Sequence, residues 1–129
     1  MAKQRIFISF DYDNDEDIKI MLAGQAKLPD SPFDFTDGSI KEHLTGDWKE
    51  KAKKRIRNCD QMIVLCGTAT HAAKGVSAEL EIAQELGTPY FLLWGRSEKT
   101  CSKPGSAKTT DKIYNWTWAN LKSLIGGSR

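Results

Sequence analysis

The chain has 129 residues, 40% hydrophobic and 28% charged, which fits one globular domain built on a single hydrophobic core. Nineteen Lys and Arg against 17 Asp and Glu leave a formal charge of +2, too small to argue for a nucleic-acid partner. No apolar run reaches the roughly 18 residues of a membrane span, and the start MAKQRIFISF lacks signal-peptide architecture. Three cysteines without CxxC spacing suit a reduced, cytoplasmic protein.

Arg5 to Phe10 (RIFISF) reads as the first strand, β-branched and aromatic enough to be central. An acidic loop follows, Asp11 to Asp15, in which Asn14 or Asp15 is placed to cap a helix over about Glu16 to Lys27. The inward positions of that helix are Ile18, Met21, Leu22 and Ala26. Pro29 and Pro32 frame its exit, and Phe33-Asp34-Phe35 forms a short second strand at or near an edge. Thr36 to Gly46 is a polar loop with a turn signal at Asp37-Gly38. Asp47, with Glu50 behind it, has the arrangement of a capping box. The helix it opens carries Trp48, Ala52, Ile56 and Cys59 on one face and Lys49, Lys51, Lys53, Lys54, Arg55 and Arg57 on the other. No aromatics interleave with those cations, so a solvated outer face is a simpler reading than a phosphate or nucleic-acid surface.

Met62 to Leu65 is a continuous apolar run bounded by Asp60 and Gly67, the pattern of a parallel strand covered on both faces. Val76, Leu80, Ile82, Ala83 and Leu86 recur near helical spacing, with Glu79 in the first turn, and Gly87 and Pro89 end that helix. Tyr90 to Leu93 is the next strand, which completes a βαβ unit with a right-handed crossover. Gly95 to Lys112 is a long polar surface loop, and Ile113-Tyr114 fits a short fifth edge strand. Asn115 opens a terminal helix that docks Trp116, Leu121 and Leu124 or Ile125, and residues 126–129 form a tail. This order predicts a three-layer α/β fold of flavodoxin-like type, with a parallel sheet of four or five strands in the order 2-1-3-4-5.

In such sheets ligands bind beyond the carboxyl ends of the strands where strand order reverses, here between the first and third strands. The groups available there are Ser9 to Asp15, Asp37 to Ser39, Gly67 to His71, and Glu79. A flavin phosphate loop would place hydroxyls and glycines after the first strand, where this chain has acids. A phosphoacceptor domain needs an aspartate at the end of the third strand, where Leu65-Cys66-Gly67 stand. No GxxxxGK or GxGxxG occurs, which removes the P-loop and dinucleotide fingerprints. His43 and His71 have no partner at metal-ligand spacing, so no metal site is expected, and Cys66 reads as a small core hydrophobe, which makes catalytic Cys-His chemistry a weak reading.

The remaining pattern resembles a family. RIFISFDYDND is similar to the first conserved box of TIR domains, a strand ending in Ile-Ser-Phe or Ile-Ser-Tyr followed by acids. Asp47-Trp48, Gly67-Thr68-Ala69-Thr70, Val76 to Glu79, Gly87-Thr88-Pro89 and the terminal Tyr114 to Trp118 look closer still to the TIR-like branch that includes the Thoeris anti-phage TIR proteins. The resemblance implies cleavage of the nicotinamide–ribose bond of NAD, giving ADP-ribose or a cyclic ADP-ribose-type signal. NAD is then a substrate, and no cofactor is implied. Glu79 matches the family's essential glutamate, and Glu81 would point roughly 200° away on the same helix.

By the same resemblance Ser9 and Phe10 would line the pocket, with Phe10 against nicotinamide or adenine, beside Asp11, Gly67 and Thr68. Asp37-Gly38-Ser39 corresponds to the loop used for assembly and for gating the pocket. Self-association through TIR-type contacts and a separate effector protein are the implied partners. Lys74 to Ala78 departs from the family pattern, since many TIR enzymes carry a Trp or Cys just before the glutamate. Two other readings stand beside the enzyme: a non-catalytic interaction module, in which Glu79 is a dipole-favoured surface acid, and a nucleoside deoxyribosyltransferase-like enzyme.

Overall fold

The computed structural model describes residues 4–11, 14–38 and 47–126. Five strands, β1 (Gln4–Ser9), β2 (Phe33–Gly38), β3 (Gln61–Cys66), β4 (Tyr90–Trp94) and β5 (Ile113–Asn115), pair in the order β2-β1-β3-β4-β5. Every pairing is parallel. Helices α1 (Glu16–Gln25), α2 (Trp48–Arg57), α3 (Lys74–Leu86) and α4 (Trp118–Ile125) cover the two faces. This is the flavodoxin-like α/β architecture, in the strand order expected from the sequence.

Side-chain alternation along the strands builds two cores, because successive residues of a strand point to opposite faces. Ile6, Ile8, Phe10, Ile63, Leu65, Phe91 and Leu93 meet Ile18 and Leu22 of α1 and Leu121, Leu124 and Ile125 of α4. Phe7, Met62, Val64, Cys66 and Leu92 meet Trp48, Ala52 and Ile56 of α2 and Val76, Leu80 and Ala83 of α3. All six residues of β3 are buried, as a central strand of a doubly covered sheet must be.

The helix ends show where local rules gave way. Asp15 and Asp47 hold the N-cap positions of α1 and α2, yet neither side chain bonds the helix backbone. Asp47 instead pairs with Lys51 at 3.4 Å, so the capping box does not form. Helix α4 starts at Trp118, not Asn115, because the Thr117 hydroxyl accepts from the Asn120 amide at 3.1 Å. Gly87 closes α3 at φ +71°, a left-handed turn that other residues adopt only with strain. Met21, expected to face inward, is 62% exposed beside Ile20 at 60%; Ile18 and Leu22 take the inner stripe.

Strand β2 also runs on through Asp37 and Gly38, which the sequence placed in a loop. A register shift takes the pairing from Ile6 with Phe35 to Phe7 with Asp37, so Thr36 is the inserted residue of a bulge. The segment 95–112 is irregular but anchored to α3. The Ser106 amide donates to Ser77 Oγ at 2.8 Å, Ser106 Oγ donates to the Ser77 carbonyl at 2.7 Å, and Gln84 donates to the Ser106 carbonyl at 3.1 Å. Among the described residues no helix is long and apolar enough to cross a membrane.

Candidate active site

Strand order reverses between β1 and β3, and the connection leaving β3 there passes through a short 3-10 turn (Thr70–Ala72) into α3. Because α3 begins at Lys74, Glu79 is its sixth residue and lies in the second turn, one turn deeper than the sequence suggested. Glu79 stands between Val76 and Leu80 on the buried stripe of the helix, which carries its carboxylate inward to the end of β1. There Ser9 Oγ, on the last residue of β1, donates to Glu79 Oε1 at 2.7 Å. Both residues are fully buried. Glu81, two positions on, is exposed, as the helical rotation requires. The bond lies inside the fold, between two side chains with no exposed surface. It fixes one oxygen of a group that water does not reach.

The other residues singled out from the sequence divide. Phe10 is 1% exposed and packs in the α1/α4 core, on the opposite face from the Ser9 and Glu79 side chains, with Lys19 Nζ 5.9 Å from its ring centroid. Asp11 closes the turn after β1: its carbonyl accepts from the Asp15 amide at 2.7 Å and its carboxylate from Asn14 Nδ2 at 2.7 Å. Asp37 and Gly38 are the last residues of β2, and Ser39 lies outside the described residues.

Gly67 is buried at the end of β3, and its amide donates to Thr70 Oγ1 at 2.7 Å. Thr68 is exposed and its carbonyl faces Ser102 Oγ at 3.5 Å. The structure therefore brings Ser9 to Glu79 and sets Gly67 at the neighbouring strand end, while Phe10 serves the core.

A second polar cluster at the same end of the sheet went unnoticed in the sequence. Arg96, just past β4, donates to Asp15 Oδ1 at 3.2 Å through Nη2 and at 3.3 Å through Nε. It also grips Asp17 with two bonds of 2.7 and 3.1 Å and the Asn14 carbonyl at 2.7 Å. Asp15 is 1% exposed, and its Oδ2 is buried with no hydrogen-bond partner among the described residues. Burial pushes the Asp15 carboxyl above the usual aspartate range, and Arg96 does not fully offset it. The exposed Asp17 is held below that range by its bond to Arg96. The Asp15 carboxylate lies flat against Gly67, where a Cβ would meet both its oxygens at 2.4 Å. The only trace in the sequence was a lone Arg directly behind a buried strand and an acid at a helix cap.

These groups suit electrostatic work on a bound ligand more than nucleophilic attack. Burial drives the Cys66 thiol far above its ordinary value, which removes the thiolate that would be needed. Among the described residues no group of three or more His, Cys, Asp or Glu could hold a metal ion.

The family model described as "Thoeris protein ThsB, TIR-like domain" matches residues 7–100, most of the chain, from the second half of β1 through β4. No curated protein matches the chain. Among solved structures, the glutaminase domain of Trypanosoma brucei CTPS with bound acivicin superposes with a TM-score of 0.48 at 19% identity. That match covers 72% of this chain and 37% of the other, so the chain spans well under half the length of that structure.

Proposed function

Since the chain belongs to the TIR-like domain family of the Thoeris protein ThsB, we propose that it processes NAD, with Glu79 promoting cleavage of the nicotinamide–ribose bond. The observation that carries this reading is the bond from Ser9 to Glu79. One carboxylate, buried and oriented, stands at the carboxyl end of β1, where strand order reverses.

One carboxylate is enough for this reaction. Glycosidases commonly use a second acid to protonate the leaving oxygen. Nicotinamide in NAD is already cationic at its ring nitrogen, so the electrons of the C–N bond leave with it and it departs neutral, without a proton. Positive charge then develops on the ribose. A preorganised carboxylate in a water-poor site stabilises that charge more than it stabilises the ground state, and this difference is what lowers the barrier. Ser9 keeps the carboxylate in one rotamer throughout. Water at the ribose carbon gives ADP-ribose, while a nucleophile within the substrate gives a cyclic product. In the same reading the product is a nucleotide signal in anti-phage defence, read by a separate effector, and TIR-type contacts join copies of the chain.

The test is NAD consumption at high protein concentration by wild type, Glu79→Gln and Glu81→Gln, with nucleotide products resolved by mass. Turnover that survives Glu81→Gln and is lost in Glu79→Gln is the expected result, and the product mass separates hydrolysis from cyclisation. Absence of turnover in folded wild type overturns the proposal in favour of an interaction module.

A further inference from the structure

Two strands away from Ser9, at the carboxyl ends of β4 and β5, lies a cavity of about 510 Å³ lined by Trp94, Ser97, Asn115, Trp116 and Thr117. Its volume falls within the roughly 300–1,000 Å³ of small-molecule sites. Trp94 is the last residue of β4 and packs against the α2/α3 core, whereas Trp116 follows β5 and packs against the α1/α4 core. The two indoles thus reach this edge of the sheet from opposite faces.

Both indole N–H groups are already used. Trp94 Nε1 donates to the carbonyls of Arg96 and Lys99 at 2.9 and 3.1 Å, and Trp116 Nε1 donates to Gln25 Oε1 at 2.8 Å. The rings are therefore fixed, and what they offer a ligand is aromatic surface. Between them the Asn115 carboxamide is exposed and bonds to no described residue, although the Asn115 carbonyl is used by the Thr117 amide and Asn120 Nδ2. Ser97 adds an exposed hydroxyl. None of the described residues lining it is charged. Arg96, next to Ser97 in the chain, is engaged by Asp15 and Asp17.

We infer that this cavity binds a neutral planar heteroaromatic ring, a nucleobase or nucleoside, stacked on the indoles and hydrogen-bonded at its edge by Asn115. Stacking uses a π-face that every base has, and fixed aromatic side chains lose little entropy in providing it. A carboxamide presents a donor and an acceptor side by side, the complement of a base edge. The uncharged character of the described lining argues against a phosphate as the principal anchor. This site is separate from Glu79, and its occupancy does not depend on NAD turnover.

The test is titration of the full chain with adenosine and with nicotinamide, read by tryptophan fluorescence and by calorimetry. Saturable binding of at least one of them is expected. Asn115→Ala should weaken it about tenfold, the worth of one hydrogen bond. Ser97→Trp, at an exposed position, should abolish it by filling the cavity. Glu79→Gln should bind as wild type does. No saturable binding of either compound overturns the inference, as does binding unchanged in Ser97→Trp. Binding lost in Glu79→Gln also overturns it, because the ring would then occupy the Glu79 site. Failure of the NAD assay alone leaves the inference standing.

Discussion

Ser9 and Glu79, 70 residues apart in the chain, are joined by a 2.7 Å hydrogen bond between two fully buried side chains. That bond makes a specific kinetic prediction. Glu79→Gln keeps the shape and loses the charge, so NAD turnover should fall by about 100-fold or more, as when a preorganised electrostatic group is removed. Ser9→Ala should act through the carboxylate alone. The expected outcome is a drop in kcat of about tenfold with KM nearly unchanged, and a stability loss of about 1–3 kcal/mol for the buried oxygen left short of a donor. Steady-state kinetics beside urea melts check both. A Ser9→Ala variant that raises KM alone would place Ser9 on the substrate.

Gly67 should not tolerate a side chain. A Cβ there meets both Asp15 carboxylate oxygens at 2.4 Å, closer than any contact a folded core accepts. Gly67→Ala is expected to cost about 1–3 kcal/mol, the range for overpacking. Asp15→Ala in the same chain should recover part of that loss, since it removes the obstructing atoms. Non-additivity in a double-mutant cycle measured by thermal melts is the signature. Additive losses would show that Gly67→Ala acts through something other than Asp15.

How far the sequence carried depended on whether the signal was periodic. Met62 to Leu65 and Tyr90 to Leu93 announced buried parallel strands because continuous apolar runs leave few alternatives, and the strand order followed. Topology puts Glu79 at the strand ends and family resemblance gives it a role, while its burial follows from its place between Val76 and Leu80 on the inner stripe of α3. Phe10 could have been assigned correctly: Ile6, Ile8 and Phe10 share one face by the two-residue period, so Ser9 and Phe10 cannot line the same wall. Arg96 and Asp15 are 81 residues apart, and a long-range ion pair writes no pattern into either local sequence. Met21 shows the limit of helical spacing, since Ile18, Met21 and Leu22 all fit an apolar stripe and only packing decides which one is left out.

Stability should depend on pH through Asp15 in the opposite sense to ordinary surface aspartates. Burial raises its folded pKa above the unfolded value near 3.8, so the native state binds this proton more readily than the unfolded chain. Its contribution is therefore fully present below that value and is lost as pH rises through the folded pKa. Asp17 runs the other way: Arg96 lowers its pKa, and its contribution is lost as pH falls. Asp15→Asn removes the first titration. The variant should gain on wild type as pH rises from about 3 towards 7, compared by urea midpoints at each pH. A gain that shrinks with rising pH would mean that Arg96, not burial, governs Asp15.

Cys59 and Cys66 should be chemically silent in the folded protein although both are free thiols. Burial pushes Cys59 up to about 11 and Cys66 further, and the thiolate is the species that reacts with alkylating and disulfide reagents. At neutral pH these two thiols should label slowly in the native chain, and urea should release both to fast labelling. Cys66 is the decisive one, because it ends β3 beside Gly67 at the strand-order reversal. A Cys nucleophile there would make NAD turnover sensitive to Cys66→Ala. Packing alone predicts that Cys66→Ala keeps turnover and loses about 1 kcal/mol, the scale for removing a small buried group. Turnover abolished in a folded Cys66→Ala variant would move the chemistry from the carboxylate of Glu79 to sulfur.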